Sequence, residues 1–387
     1  MSVLSVYNSL DLEIDHGDGV YIYSTDGTRY LDFTSGIGVT SLGHSHPALI
    51  SALKEQADKI WHCSNLFKIT GQHLVAKKIV DNSFASNVFF CNSGAEAIES
   101  GIKVVRKYFS ERKSRKFKII CANNSFHGRT IAAISASGQS KLVNGFHPTL
   151  DGFKQVEFNN IDEIKKNVDD ETAAILIETI QGEGGVEPAS KEYLSDLKKI
   201  VKDNDLLLFL DEVQCGIGRT GKFLAFEWMD KLTPNIVSVA KGIGGGFPVG
   251  ALLLDKKTSA VMTPGTHGST FGGNPLAMAV SNAVLDYVLK KDFLEHVIEV
   301  GGYLNELLQK EIIAKFPKLV KGIRGKGLML GLEAKEKNEI LINAMINEKL
   351  LTVKAGQNVV RMLPPLILEK KHVDEAIEKM NNAFLDL

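Results

Sequence analysis

The chain has 387 residues, 24% of them charged and 44% hydrophobic, with a formal net charge of -1. That balance leaves no basic surplus to grip a nucleic acid or an anionic membrane, and no segment approaches the roughly 20 apolar residues of a membrane span. The partners expected are small neutral or anionic molecules, and the length suits more than one domain, since domains run to roughly 100 to 200 residues.

Residues 1–28 contain no Lys or Arg and no continuous apolar segment. The usual grounds for a secretory or organellar leader are missing, so a cytoplasmic protein is expected. Four scattered cysteines, Cys63, Cys91, Cys121 and Cys215, form no CxxC pair and read as reduced thiols. His44 and His46 flank one serine before Pro47, but no further cluster completes a metal site, and the segment reads as a turn into a helix.

Along the chain, residues 18–33 suggest two short strands around a Thr25-Asp26-Gly27-Thr28 turn, followed by a glycine-rich connection from Ser35 to Gly43. Helices are expected over about 47–60 and 71–80. Strands then read at Asn87-Cys91, Phe117-Cys121, Ala173-Glu178, Leu206-Asp211, Ile236-Ala240 and Gly250-Leu254, most separated by a helical pattern. This alternation predicts an α/β fold with a mostly parallel sheet covered on both faces. Asn274-Pro275 opens another helix. Beyond about residue 290, amphipathic helices near 292–315, 336–348 and 370–385 surround short strands at 328–333, 351–353 and 359–363, which predicts a smaller α+β domain.

Charges at strand ends carry the chemistry. Lys241 follows the apolar run Ile236-Ala240 and precedes the glycines of Gly242-Gly246, a place where a lone ammonium gains little as structure. Asp211 ends the apolar strand from Leu206, and ligands in open α/β sheets sit at such carboxyl ends. Asn92-Ser93-Gly94-Ala95-Glu96 opens a helix, with Ser93 and Glu96 spaced as a capping box. The glycine lets a ligand approach the helix start, so the segment reads either as an ordinary cap or as a phosphate cradle. Phe126 could cover a planar cofactor and Arg129 grip a carboxylate, although residues of these types are more often packing and a surface charge. Glu183, in the loop Gln181-Gly185, could neutralise an arginine. Arg361 interrupts an apolar strand and so requires a carboxylate.

Together these groups suit pyridoxal 5'-phosphate, with Lys241 forming the Schiff base, Asp211 holding the ring nitrogen protonated and Gly94-Ala95 binding the phosphate. The alternative is a nucleotide-binding fold using Gly242-Gly246. That run has neither the GxGxxG helix opening nor the Walker order.

At these residues the chain resembles the class III, ornithine-type, pyridoxal-phosphate aminotransferases. The resemblance runs through Gly43-His44-Ser45-His46-Pro47, Asn92 to Ala97, Phe126-His127-Gly128-Arg129-Thr130, Gln181 to Gly185, Leu210 to Gln214, Ala240-Lys241-Gly242, His267 to Pro275 and Arg324 to Gly327. It implies a fold type I homodimer with its active site between subunits. The large domain would span 47–289, and the small one would join 1–46 to 290–387.

The resemblance also assigns roles. Thr270 would reach the cofactor phosphate of the neighbouring subunit, and Ser269 would line the substrate side. Phe126 would stack on the ring, Val213 would pack on its opposite face and Gln214 would contact the ring hydroxyl. The implied reaction moves the terminal amine of N-acetylornithine to 2-oxoglutarate, a step of arginine biosynthesis that yields glutamate. Arg129 would take the distal carboxylate and Arg361 the near one, with Glu183 neutralising Arg361 when no near carboxylate is present. The small stretch Ser35-Val39 stands where ornithine-preferring relatives place a tyrosine. Ornithine, succinyl-diaminopimelate and 4-aminobutyrate are the alternative amino donors, and an aminomutase or decarboxylase is the alternative chemistry.

Overall fold

The computed structural model describes residues 2–229, 231–385 and 387. Its centre is a seven-stranded sheet in the order Asn87–Cys91, Gly250–Leu254, Ile236–Val239, Leu207–Asp211, Thr172–Glu178, Lys118–Ala122, Phe153–Val156. Gly250–Leu254 runs antiparallel to both neighbours, and the remaining pairs are parallel. Every residue of Thr172–Glu178 and Leu207–Asp211 is buried, which is why these strands read as unbroken apolar runs rather than alternating ones. Successive side chains still leave on opposite faces. Leu208 and Leu210 join one apolar cluster, while Leu207 and Phe209 join the other beneath the helix Gly94–Glu111.

A further core gathers Val20, Leu31 and Phe33 with residues between Val297 and Phe384. It packs two four-stranded sheets, one from Ile14–Asp18, Tyr21–Ser24, Arg29–Asp32 and Leu350–Leu351, the other from Val320–Lys326, Met329–Ala334, Val359–Met362 and Val353–Ala355. The single strand expected over 351–353 is therefore divided. Leu350–Leu351 pairs parallel with the N-terminal sheet and Val353–Ala355 pairs antiparallel with Val359–Met362.

Besides the two-residue strands Ile180–Gln181 and Glu187–Pro188, three longer strands carried too little apolar signal to be read from the sequence. Ile14–Asp18 and Phe153–Val156 are edge strands, and Val320–Lys326 contains two glycines and three cations. The helix expected over 292–315 is α-helical over Lys291–Leu307 and π-helical over Leu308–Ile313. Among the described residues, no helix is long and apolar enough to cross a membrane.

Candidate active site

Strand register builds the floor of the site. Asp211 stands opposite Ser238 on one side and Glu178 on the other, so three polar groups meet at the carboxyl ends of adjacent parallel strands. Asp211 Oδ1 accepts from the Val213 N–H at 2.9 Å and the Ser238 hydroxyl at 3.3 Å. Its Oδ2 lies 2.7 Å from His127 Nδ1, both side chains being buried. A carboxylate only accepts, so Nδ1 is the donor, and the buried Nε2 has no partner among the described residues. Neither His127 nor Glu178 was singled out from the sequence. The available signals were the position of His127 between Phe126 and Arg129, and a carboxylate closing the strand Thr172–Glu178 just as Asp211 closes its neighbour.

Lys241 lies two residues beyond Val239, in a 3-10 turn that begins with its own left-handed φ of 48°. Burial, seconded by the Arg361 guanidinium, lowers its ammonium to about 8 against the opposing pull of Glu183, Asp211 and Glu178. Burial likewise pushes the Glu178 carboxyl up to about 7, with His127 opposing and Asp211 adding to the rise.

His127, Glu178, Asp211 and Lys241 line a cavity of about 450 Å³, together with Ser93, Gly94, Ala95, Phe126, Arg129, Glu183, Val213 and Gln214. The Ser93 hydroxyl caps the helix by accepting the Glu96 N–H at 3.2 Å. The reciprocal half of the expected capping box is displaced by one residue, because the Glu96 carboxylate takes the Asn92 N–H at 2.5 Å. First-turn N–H groups have no intrahelical acceptor, so those of Gly94 and Ala95 remain for a ligand at the positive helix end. Gly128, at φ 129°, brings the Phe126–Arg129 loop against this turn, where a Cβ would lie 2.8 Å from that of Ala95. The Arg129 guanidinium is exposed and sits 5.6 Å from the Phe126 ring centroid.

Arg361, only 1% exposed, stands behind this wall rather than in it. Its Nη2 is 2.7 Å from Glu183 Oε1, and its Nη1 donates to Gln214 Oε1 at 2.9 Å. The carboxylate that Arg361 requires is thus Glu183. Gln214 lines the cavity with its amide oxygen committed to Arg361. Within Ser35–Val39 only Val39 reaches the cavity.

Ser269 and Thr270 do not line the cavity of their own chain. Ser269 Oγ accepts from Asn92 Nδ2 at 3.1 Å and from the Gly272 N–H at 3.0 Å, whereas Thr270 is exposed. Among the described residues, no group of three or more His, Cys, Asp or Glu is arranged to hold a metal ion.

A lysine with a depressed pKa in one cavity with a buried carboxylate and an anion-receptive helix start suits a group-transfer enzyme. Over residues 5–384 the chain matches the class-III aminotransferases, and it belongs to that family. It is 50% identical to the acetylornithine aminotransferase of Mesorhizobium japonicum, over 95% of this chain and 92% of that protein. It is 48% identical to that of Agrobacterium fabrum, over 97% and 94%. Among solved structures, N-acetylornithine aminotransferase from Stenotrophomonas maltophilia aligns with a TM-score of 0.86 at 33% identity, over 99% of this chain and 98% of that one. Ornithine aminotransferase from Toxoplasma gondii, described with partial occupancy of PLP at its active site, gives 0.93 at 30%, over 99% and 92%.

Proposed function

We propose that this aminotransferase uses pyridoxal 5'-phosphate to move the terminal amino group of N2-acetyl-L-ornithine to 2-oxoglutarate, giving N-acetylglutamate 5-semialdehyde and glutamate. The observation that carries the reading is the Glu183–Arg361 pair, a buried cation with a removable counter-charge, whose Glu183 lines the same cavity as the exposed Arg129.

The residues present fit the cofactor. A Cβ on Gly94 would lie 2.7 Å from Val213 Cγ1, so the helix start and the Val213 wall close together where a phosphate and ring would sit. Gly94, Ala95 and Ser93 would hold the phosphate, Phe126 and Val213 would flank the ring, and Gln214 would reach its hydroxyl. Asp211, fixed by His127, Ser238 and the Val213 N–H, would hold the ring nitrogen protonated. When bound, the cofactor supplies an electron sink and a carrier for the amino group.

Lys241 is the amine that would hold the cofactor and move a proton at the substrate carbon. With its pKa lowered to about 8 by burial, far more of the side chain is neutral near pH 7.5 than in an ordinary lysine. Arg129 would bind the α-carboxylate of N-acetylornithine at the far end, while Glu183 keeps Arg361 neutralised. Glutamate and 2-oxoglutarate bring a second carboxylate, which would displace Glu183 and take Arg361 in the forked geometry that arginine favours.

A second copy of the chain would complete the site. Trp61, Leu66, Phe67 and Phe271 are exposed near Thr270, and Asn65 ties their two segments together by donating to the Ser269 and Gly272 carbonyls at 3.1 Å. An apolar patch of this kind suits an isologous dimer that presents Thr270 to the partner's cofactor. The domain division that goes with this reading is 47–289 for the cofactor and 1–46 with 290–387 for the smaller unit.

Steady-state kinetics with purified protein test the assignment. N-acetylornithine is expected to be the preferred donor; negligible turnover of it beside rapid turnover of ornithine or 4-aminobutyrate would overturn the reading.

A further inference from the structure

Glu178 is a buried carboxylate whose hydrogen-bond partners among the described residues are two backbone N–H groups and no cation, a costly arrangement to which amino-group transfer assigns no role. Its two oxygens go to two different loops. Oε1 accepts the Phe126 N–H at 2.8 Å, three residues before Arg129, and Oε2 accepts the Gly182 N–H at 3.0 Å, one residue before Glu183. We infer that Glu178 is a positioning residue for substrate selection: by holding both loops on one carboxylate it sets how readily Glu183 leaves Arg361 when a dicarboxylate arrives. The inference rests on the two-arginine reading of the site.

Both acceptors are required. A glutamine would offer one oxygen and one N–H donor, leaving either Phe126 or Gly182 with a buried donor facing a donor. The Phe126 side is further held by the His127 N–H on the Ser137 hydroxyl at 3.2 Å. On the other side Glu183 lies between Gly182 and Gly184; its carbonyl accepts the Gly356 N–H at 2.8 Å, while the Gly182 carbonyl accepts the Gly185 and Val186 N–H groups at a long 3.4 Å. The glycine loop is therefore the one that yields, which frees Glu183 to leave Arg361.

Protonation of Glu178 acts in the same way, because the acid has one acceptor oxygen fewer. The groups facing it are His127 and Asp211 from the floor and Lys241 from the adjoining turn, with the Glu183–Arg361 pair on the tethered loop. Burial places this titration near neutrality, so lowering the pH from 8 to 6 should favour dicarboxylates.

Calorimetric binding to the cofactor-saturated protein tests this with two unreactive ligands, glutarate as the dicarboxylate and N-acetylnorvaline as the monocarboxylate. Glu178→Gln is expected to shift the ratio of their affinities about tenfold toward glutarate, the effect of one lost buried hydrogen bond. The wild-type ratio should move the same way between pH 8 and pH 6, and that of Glu178→Gln should stay flat. Glu178→Asp, which keeps two acceptors, should recover part of the wild-type ratio. Equal changes for both ligands in Glu178→Gln, or a Glu178→Asp ratio no closer to wild type than that of Glu178→Gln, would overturn the inference; where Glu178→Gln does not fold, a Glu178→Asp ratio identical to wild type overturns it. Arg361→Met serves as the control: if it weakens both ligands equally, the two-arginine reading itself fails.

Discussion

His127 Nδ1 and Asp211 Oδ2 meet at 2.7 Å in the interior, on residues 84 positions apart in the chain. The imidazole donates to one carboxylate oxygen while the Val213 N–H and the Ser238 hydroxyl occupy the other, so the Asp211 charge is oriented from both sides. Replacing His127 by leucine removes that donor. The expected result is a loss of about 1–3 kcal/mol in urea unfolding and a tenfold to hundredfold slower half-reaction, roughly the scale of one lost buried hydrogen bond to a charged group. His127→Asn, which can still donate, should recover part of both.

The depressed pKa of Lys241 gives a pH signature for cofactor capture. Only the neutral amine attacks an aldehyde, so the rate at which cofactor-free protein takes up pyridoxal 5'-phosphate should rise with pH and level off above about 8. Stopped-flow absorbance between pH 6 and 9 would read this directly. Lys241→Ala should show no covalent uptake at any pH.

Removing the counter-charge at Glu183 separates the two substrates. Glu183→Gln leaves the guanidinium of Arg361 buried with Gln214 as its main neutral partner. The expected cost is about 1–2 kcal/mol, below that of breaking a fully buried pair because Glu183 is itself one-third exposed. In kinetics the KM for 2-oxoglutarate should fall relative to that for N-acetylornithine. Arg361→Lys should do the reverse, raising the 2-oxoglutarate KM about tenfold or more while changing the N-acetylornithine KM little.

Gly128 occupies a backbone region that L-residues avoid, with no room for a Cβ beside Ala95. Gly128→Ala should therefore destabilise the fold by about 1–3 kcal/mol and weaken cofactor binding, because relieving the clash moves the Phe126 loop away from the helix start. Thermal melts with and without added cofactor would separate the two effects.

If a second copy covers the patch around Phe67, then Leu66→Asp with Phe67→Asp should give monomers in sedimentation velocity. Those monomers should lose cofactor on dialysis more readily than the wild type, since Thr270 would no longer reach a partner's site.

Much of this arrangement is written locally in the chain. Lys241, Asp211 and Arg361 stand out because each is a charge set in or directly after an apolar strand, and desolvation makes such a placement costly without a purpose. The central strands are legible for the same reason, since burial on both faces keeps them apolar throughout. The edge strands Ile14–Asp18 and Phe153–Val156 escaped because exposure relaxes that demand, whereas the edge strand Asn87–Cys91 stayed apolar enough to be read. Phe153–Val156 is only partly apolar, and Val320–Lys326 is held by pairing with Met329–Ala334 rather than by its own composition.

By itself, then, the sequence determined which residues form the buried strands and which charges stand at their ends, because side-chain period and the cost of burying a charge act over a few neighbouring residues. Only the tertiary structure decided which charges meet. The register of adjacent parallel strands sets Asp211 between Glu178 and Ser238, a loop returning from another strand lays His127 against it, and the packing of a separate sheet delivers Arg361 to Glu183. Those pairings depend on contacts between segments far apart in the chain, whose spacing along the sequence carries no record of their distance in space.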